Sequence, residues 1–140
     1  MTNGTPMTGN LPGASKNGDS KPFNLEERTA QFGESVIRFC KALPHTTITE
    51  PLIRQIVRSS TSVGANYCEA DDSISKKEYR QKIGTCKKEA RETKHWCRMI
   101  AAAEPVHAPK TRELWQEAHE LHLIFAAIYR KVSAKKETPK

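Results

Sequence analysis

The residues best placed to do chemistry are histidines one helical turn from a partner: Glu92 with His95, Glu104 with His107, and His119 with His122. Glu-x-x-His is half of the carboxylate–imidazole set that helical bundles use for two-metal sites, where each of two helices supplies one such pair. Here the second match contains Pro105 and falls in a loop, so the matching helical partner is missing. His95 also lies two residues beyond Thr93, about 200° around a helix, and is expected to face away from Thr93. His119 and His122 lack the HExxH spacing that sets two imidazoles on one zinc, and read as surface or partly buried histidines. No glycine-rich phosphate loop and no nucleophile elbow is present. The sequence offers no catalytic site, no metal site and no cofactor motif, and the expectation is a protein that is not an enzyme.

Cys40, Cys68, Cys86 and Cys97 contain no C-x-x-C pair. Each falls on or beside an apolar helical stripe, where a reduced cysteine acts as a small hydrophobe, so neither disulfides nor zinc are expected. The chain has 140 residues, and its 23 Lys and Arg against 16 Asp and Glu leave a net charge of +7. That balance favours anionic partners such as nucleic acid, or a ring of subunits with complementary charge. No stretch approaches the roughly 18 consecutive apolar residues of a membrane span, and the N-terminus lacks the apolar run of a signal peptide. A cytoplasmic protein without a membrane partner is expected.

These groups must be carried by helices. Residues 1–22 hold four of the seven glycines and three of the eight prolines amid Thr, Ser, Asn and Lys, a composition that reads as a disordered arm. The folded part is expected over 23–133, and 134–140 as a frayed basic tail. Within it, Leu25, Thr29, Phe32, Val36, Phe39/Cys40 and Leu43 recur at spacings of three and four behind a plausible Asn24 cap, and Pro44 ends the run. A second stripe follows Pro51: Ile53, Ile56/Val57, Ser60, Val63/Gly64 and Tyr67. Ser75 with Glu78 makes a capping box before Tyr79, Ile83, Cys86, Ala90, Thr93, Cys97 and Ile100. Leu114, Ala118, Leu121, Phe125, Ile128 and Val132 form the last stripe. Helices are predicted near 24–43, 50–70, 75–103 and 110–133. Short loops between amphipathic helices make an all-α, antiparallel up-down-up-down four-helix bundle the economical arrangement.

Two helices carry more than a core face. The second has a parallel polar stripe, Gln55, Ser59, Ser62, Asn66 and Glu69, either a solvated face or a close contact across which Asn66 hydrogen-bonds. The third has opposed flanks. One position after its core residues run Arg80, Gly84, Lys87, Arg91, Lys94 and Arg98; one position before run Glu78, Lys82, Thr85, Glu89, Glu92 and Trp96. Such flanks set partner choice in helical assemblies, track phosphates, or merely solvate the helix.

The text from Gln55 through Arg58, Ser62, Gly64 and Asn66 to Glu69-Ala70 resembles the signature of the bacterial four-helix bundle family, the 23S ribosomal RNA intervening-sequence proteins. Lys88-Glu89-Ala90-Arg91-Glu92-Thr93 and Trp96 resemble that family's second signature, and the likeness extends over all four helices. Tyr79 and Cys97 depart from it mildly, standing where phenylalanine and leucine are frequent. The resemblance implies an antiparallel bundle that assembles into a homopentameric barrel, without catalytic activity. It also implies kinship with the basic accessory protein of diversity-generating retroelements, which binds nucleic acid together with a reverse transcriptase.

On this footing the expected function is a non-catalytic oligomeric adaptor that binds RNA or DNA, with a reverse transcriptase or other polymerase as a further partner. The expected phosphate-contacting residues are Arg80, Lys87, Lys88, Arg91, Lys94 and Arg98. Gln55, Ser62, Asn66, Glu69, Arg91, Glu92 and Trp96 are expected to set either the subunit interface or the fold through contacts between helices 2 and 3. The alternative is a purely structural or protein-interaction ring.

Overall fold

The computed structural model describes residues 24–137, with side chains to residue 134. The arm at 1–22 and residues 138–140 lie outside the described residues. Four helices follow one another, α1 (Leu25–Lys41), α2 (Thr49–Asp71), α3 (Lys76–Ala103) and α4 (Ala108–Glu137), with one 3-10 turn at Pro105–His107. No strand occurs among the described residues. Each helix packs on its neighbours in sequence; α3 is held between α2 and α4, and the α1–α4 seam is the thinnest.

The helix ends follow local chemistry. Asn24 Oδ1 accepts from the Glu27 amide at 3.1 Å, with Glu26 and Glu27 in the positively polarised first turn. The α1 helix stops at Lys41, two residues before Leu43, because Pro44 disfavours helical backbone at the residue before it. Thr46 starts α2: its Oγ1 accepts from the Ile48 and Thr49 amides at 3.2 and 3.1 Å. Thr49 is itself buried and donates to the Pro44 carbonyl at 2.6 Å, which ties the loop down. Ser75 Oγ accepts from the Glu78 amide at 3.0 Å, while Glu78 reaches back to the Ile74 amide at 3.3 Å, one residue further than in the expected capping box. The α4 helix departs most from expectation. It starts at Ala108 and runs to Glu137, through four residues expected to fray. Ala134, Lys135, Lys136 and Glu137 are strong helix formers and carry the helix on.

The core is the four stripes. Phe32, Val36, Ile56, Val63, Ile83, Cys86, Ala90, Ile100, Ala118, Leu121 and Phe125 are buried, with Tyr67 tilted against Phe125 at 5.9 Å between ring centroids. Gly64 lets α1 approach α2: a Cβ there would lie 3.2 Å from Thr29 Oγ1. Burial pushes the Cys40 thiol up to about 11 and those of Cys86 and Cys97 to about 12, so all three are inert core groups. Cys68 differs. It is exposed, one residue past Tyr67 on the helix, and fills no core space.

Phe125→Ala should cost about 3–5 kcal/mol, the usual penalty for emptying a buried aromatic site. Urea unfolding measures it, and a loss under about 1 kcal/mol would contradict this core.

Candidate nucleic-acid interface

The two flanks of α3 have different fates, and α2 decides both. In the α2–α3 seam Ser59 Oγ lies 2.8 Å from Thr93 Oγ1, both residues fully buried. The single Thr93 hydroxyl proton goes to the Glu89 carbonyl at 2.8 Å, so Ser59 is the donor across the seam. This contact turns the acidic flank of α3 toward α2, where Arg58 receives it. The Arg58 guanidinium bonds Glu89 at 3.2 Å and Glu92 at closer range, and its Nε donates to Gln55 at 3.2 Å. Trp96 Nε1 donates to Glu92 at 3.0 Å, and Lys82 pairs with Glu69.

Gln55, Glu92 and Trp96 therefore meet in the α2–α3 seam of one chain, joined by Arg58 and Glu89, while Glu69 pairs with Lys82 further along it. Asn66 does not cross the seam. Its Nδ2 donates to the Ser62 carbonyl of its own helix at 2.9 Å, since that acceptor lies one turn back on the same face. Sequence reasoning leaves Arg58 without a role; its place three residues after Gln55, on the edge of the polar stripe, is the signal that points to it.

The basic flank turns to α4. Gly84 makes room for Tyr129, whose Cε1 would lie 3.1 Å from a Cβ at that position. Lys87 Nζ stands 5.6 Å above the Tyr129 ring, and His122 Nδ1 meets the Lys87 carbonyl at 3.2 Å. Beside them an open groove of about 730 Å³ is lined by Gln81, Lys82, Gly84, Thr85, Lys87, Lys88, Arg91, His122 and Tyr129. Among the described residues no carboxylate lines it. Lys82 is already paired, which leaves Lys87, Lys88 and Arg91 as its uncompensated cations.

The other expected phosphate contacts fall elsewhere. Lys94 Nζ donates to His119 Nδ1 at 2.9 Å and lies 5.2 Å from the Trp115 ring, which stacks on His119 at 5.0 Å. Burial, then the charge of Arg91, lowers the Lys94 pKa from its ordinary value. Arg80 is half-buried, with Nε sealed from solvent and without a partner, and Arg98 is exposed beyond the groove. Sequence reasoning misses His122 and Tyr129, because nothing in the α4 sequence alone reveals which α3 residues stand opposite. Burial lowers the His122 pKa; the Lys94, Lys87 and Arg91 charges add to this, while the hydrogen bond to the Lys87 carbonyl opposes it.

Among the described residues no group of three or more His, Cys, Asp or Glu is arranged to hold a metal, and no helix is long and apolar enough to cross a membrane. His95 is exposed and packs edge-on against Trp96 at 4.9 Å. A second, smaller groove of about 470 Å³ between α1 and the start of α4 carries Arg38, His107 and Lys110. Lys110 is paired with Glu113 at 3.2 Å.

Together the fold and this surface define an all-α four-helix bundle with a cluster of unpaired cations in the α3–α4 groove. The 23S rRNA-intervening sequence protein model matches residues 23–127, and the chain belongs to that family. The fold is also similar to a crystal structure from Bacteroides thetaiotaomicron VPI-5482, a protein of unknown function from the S23 ribosomal protein family. The identity is 24%, with 74% of this chain and 96% of that chain covered and a TM-score of 0.65. No curated protein matches the chain.

Arg58→Ala should lower stability by about 1–2 kcal/mol, because it strips two carboxylates of their partner. The loss belongs in the urea midpoint and not in the mass measured by light scattering, since the seam lies within one chain. Dissociation of an otherwise stable fold would assign Arg58 to a subunit contact instead.

Proposed function

We propose that this protein is a non-catalytic adaptor that binds the phosphate backbone of nucleic acid in the α3–α4 groove. The observation that carries the reading is the cluster of Lys87, Lys88 and Arg91 around a groove with no carboxylate in its lining among the described residues. Clustered cations without counter-charge repel one another, and a polyanion relieves that repulsion while releasing its condensed counterions. The groove has no arrangement for reading base edges, so the binding is electrostatic and tolerant of sequence. Arg98, exposed further along α3, extends the positive surface.

The proposal includes a cyclic homo-oligomer, a pentamer by resemblance. A ring presents several grooves to one strand and turns weak contacts into a useful affinity. Its subunit contacts must lie largely outside the α2–α3 seam, whose polar groups are satisfied internally. Light scattering should return a mass near five times 15.7 kDa; a single-chain mass at micromolar concentration rejects the ring.

The deciding experiment titrates the full chain with labelled RNA and DNA over a range of salt, beside a Lys88→Glu/Arg91→Glu variant. Both substituted residues are exposed, so the fold should survive. Binding should weaken at least about tenfold. The slope of log affinity on log salt should fall by roughly 0.7 for each single-strand phosphate that the variant no longer neutralises. Lys110→Glu, in the second groove, should change little. Absence of binding at low salt, or equal losses for every charge reversal, favours the alternative of a protein-interaction ring.

A further inference from the structure

His122 is the one groove-lining side chain whose ordinary pKa sets its charge between pH 5 and 8. Its protonation state is legible from geometry. Nδ1 lies 3.2 Å from the Lys87 carbonyl, and a carbonyl only accepts, so Nδ1 carries a proton. In the neutral ring Nε2 is then a bare lone pair, with no hydrogen-bond partner among the described residues. A bare lone pair repels an anionic oxygen; the same atom protonated donates to it.

The charged groups facing His122 favour the bare form in the free protein. They are Lys87, Arg91 and Lys94 of α3; His119, one turn earlier on α4, accepts from Lys94. The nearest carboxylates on α4, Glu117 and Glu120, are committed to Arg28 of α1 at 2.8 and 3.0 Å. Burial works in the same direction as the cations, and together they outweigh the Lys87 carbonyl and hold the His122 pKa below its ordinary value. A phosphate group entering the groove reverses the balance. Its negative charge offsets Lys87 and Arg91, and its oxygen gives an Nε2 proton somewhere to go.

We propose that His122 is a proton-gated anion ligand: a phosphodiester bound in the α3–α4 groove recruits one proton from solvent to His122 Nε2, which then donates to a phosphate oxygen. The inference rests on the phosphate-binding reading of the groove. Linkage fixes the sign. The bound state has the higher His122 pKa, so affinity rises as pH falls through that value and is flat above it.

The test uses the full chain at low salt and a rhodamine-labelled uridine oligonucleotide of roughly 20 nucleotides, whose bases and diesters do not titrate near neutrality. Fluorescence anisotropy should show binding about tenfold tighter at about pH 6 than at about pH 8. His122→Asn, whose side-chain amide can still reach the Lys87 carbonyl, should lose most of that difference; the other histidines leave a small remainder shared by both proteins. Nitrogen NMR of the unmodified protein reads the same event without a substitution: the His122 titration should move to higher pH when the oligonucleotide saturates the protein. Binding with the same pH profile in His122→Asn, or a His122 titration that ignores the oligonucleotide, overturns the proton-gated ligand and leaves the groove reading intact. No binding at low salt at either pH overturns both.

Discussion

The hydrogen bond between Ser59 and Thr93 fixes how α3 is rotated, and the placement of charge on the molecule depends on that rotation. Two short hydroxyl side chains let the helices approach closely, yet both hydroxyls are fully buried, so each must find its partner. Thr93 has already given its proton to the Glu89 carbonyl. Aiming Ser59 at Thr93 gives it a 2.8 Å acceptor in place of the 3.4 Å contact to the Ile56 carbonyl of its own helix. With that set, Glu89 and Glu92 fall toward α2 and Lys87 and Arg91 fall toward α4. A rotation of one residue, about 100°, would carry the basic flank into the seam and leave Arg58 opposite like charge.

The acidic residues facing the helix seams are largely compensated. Arg58 neutralises Glu89 and Glu92, Arg28 neutralises Glu117 and Glu120, and Lys82 pairs with Glu69. These ion pairs are half exposed, and each is worth about 1 kcal/mol or less in stability. Their larger effect is to gather several acidic residues at helix seams. What remains unpaired on the α3–α4 side is cationic, and Gly84 and Tyr129 shape the groove that holds it.

The fold is legible in the sequence because every helix repeats its apolar residues at spacings of three and four. Leu25 to Leu43, Ile83 to Ile100 and Leu114 to Phe125 all reach the core that their spacing predicts. The end of α4 is not, because charge and a distant proline suggest fraying where Ala134 to Glu137 simply continue the helix. Part of the lining of the candidate groove is legible as well. The basic flank follows from spacing along α3, and Lys87, Lys88 and Arg91 do line one groove. Lys94 and Arg80 leave that set for reasons no single helix records: Trp115 and His119 capture the first, and the second is packed with its Nε sealed. His122 and Tyr129 are invisible for the same reason, since inter-helix register is a property of two sequences packed together. The polar stripe of α2 also resolves in a way that spacing alone leaves open. Ser59 crosses to α3, while Asn66 bonds backward along its own helix.

Lysine footprinting tests most directly the claim that charge is partitioned by the rotation of α3. The full chain is acetylated with and without saturating RNA at low salt, and each lysine is quantified by mass spectrometry. The account predicts strong protection of Lys87 and Lys88, with Lys41, Lys76 and Lys110 modified equally in both samples. Protection centred on Lys110, or spread evenly over all surface lysines, would contradict it.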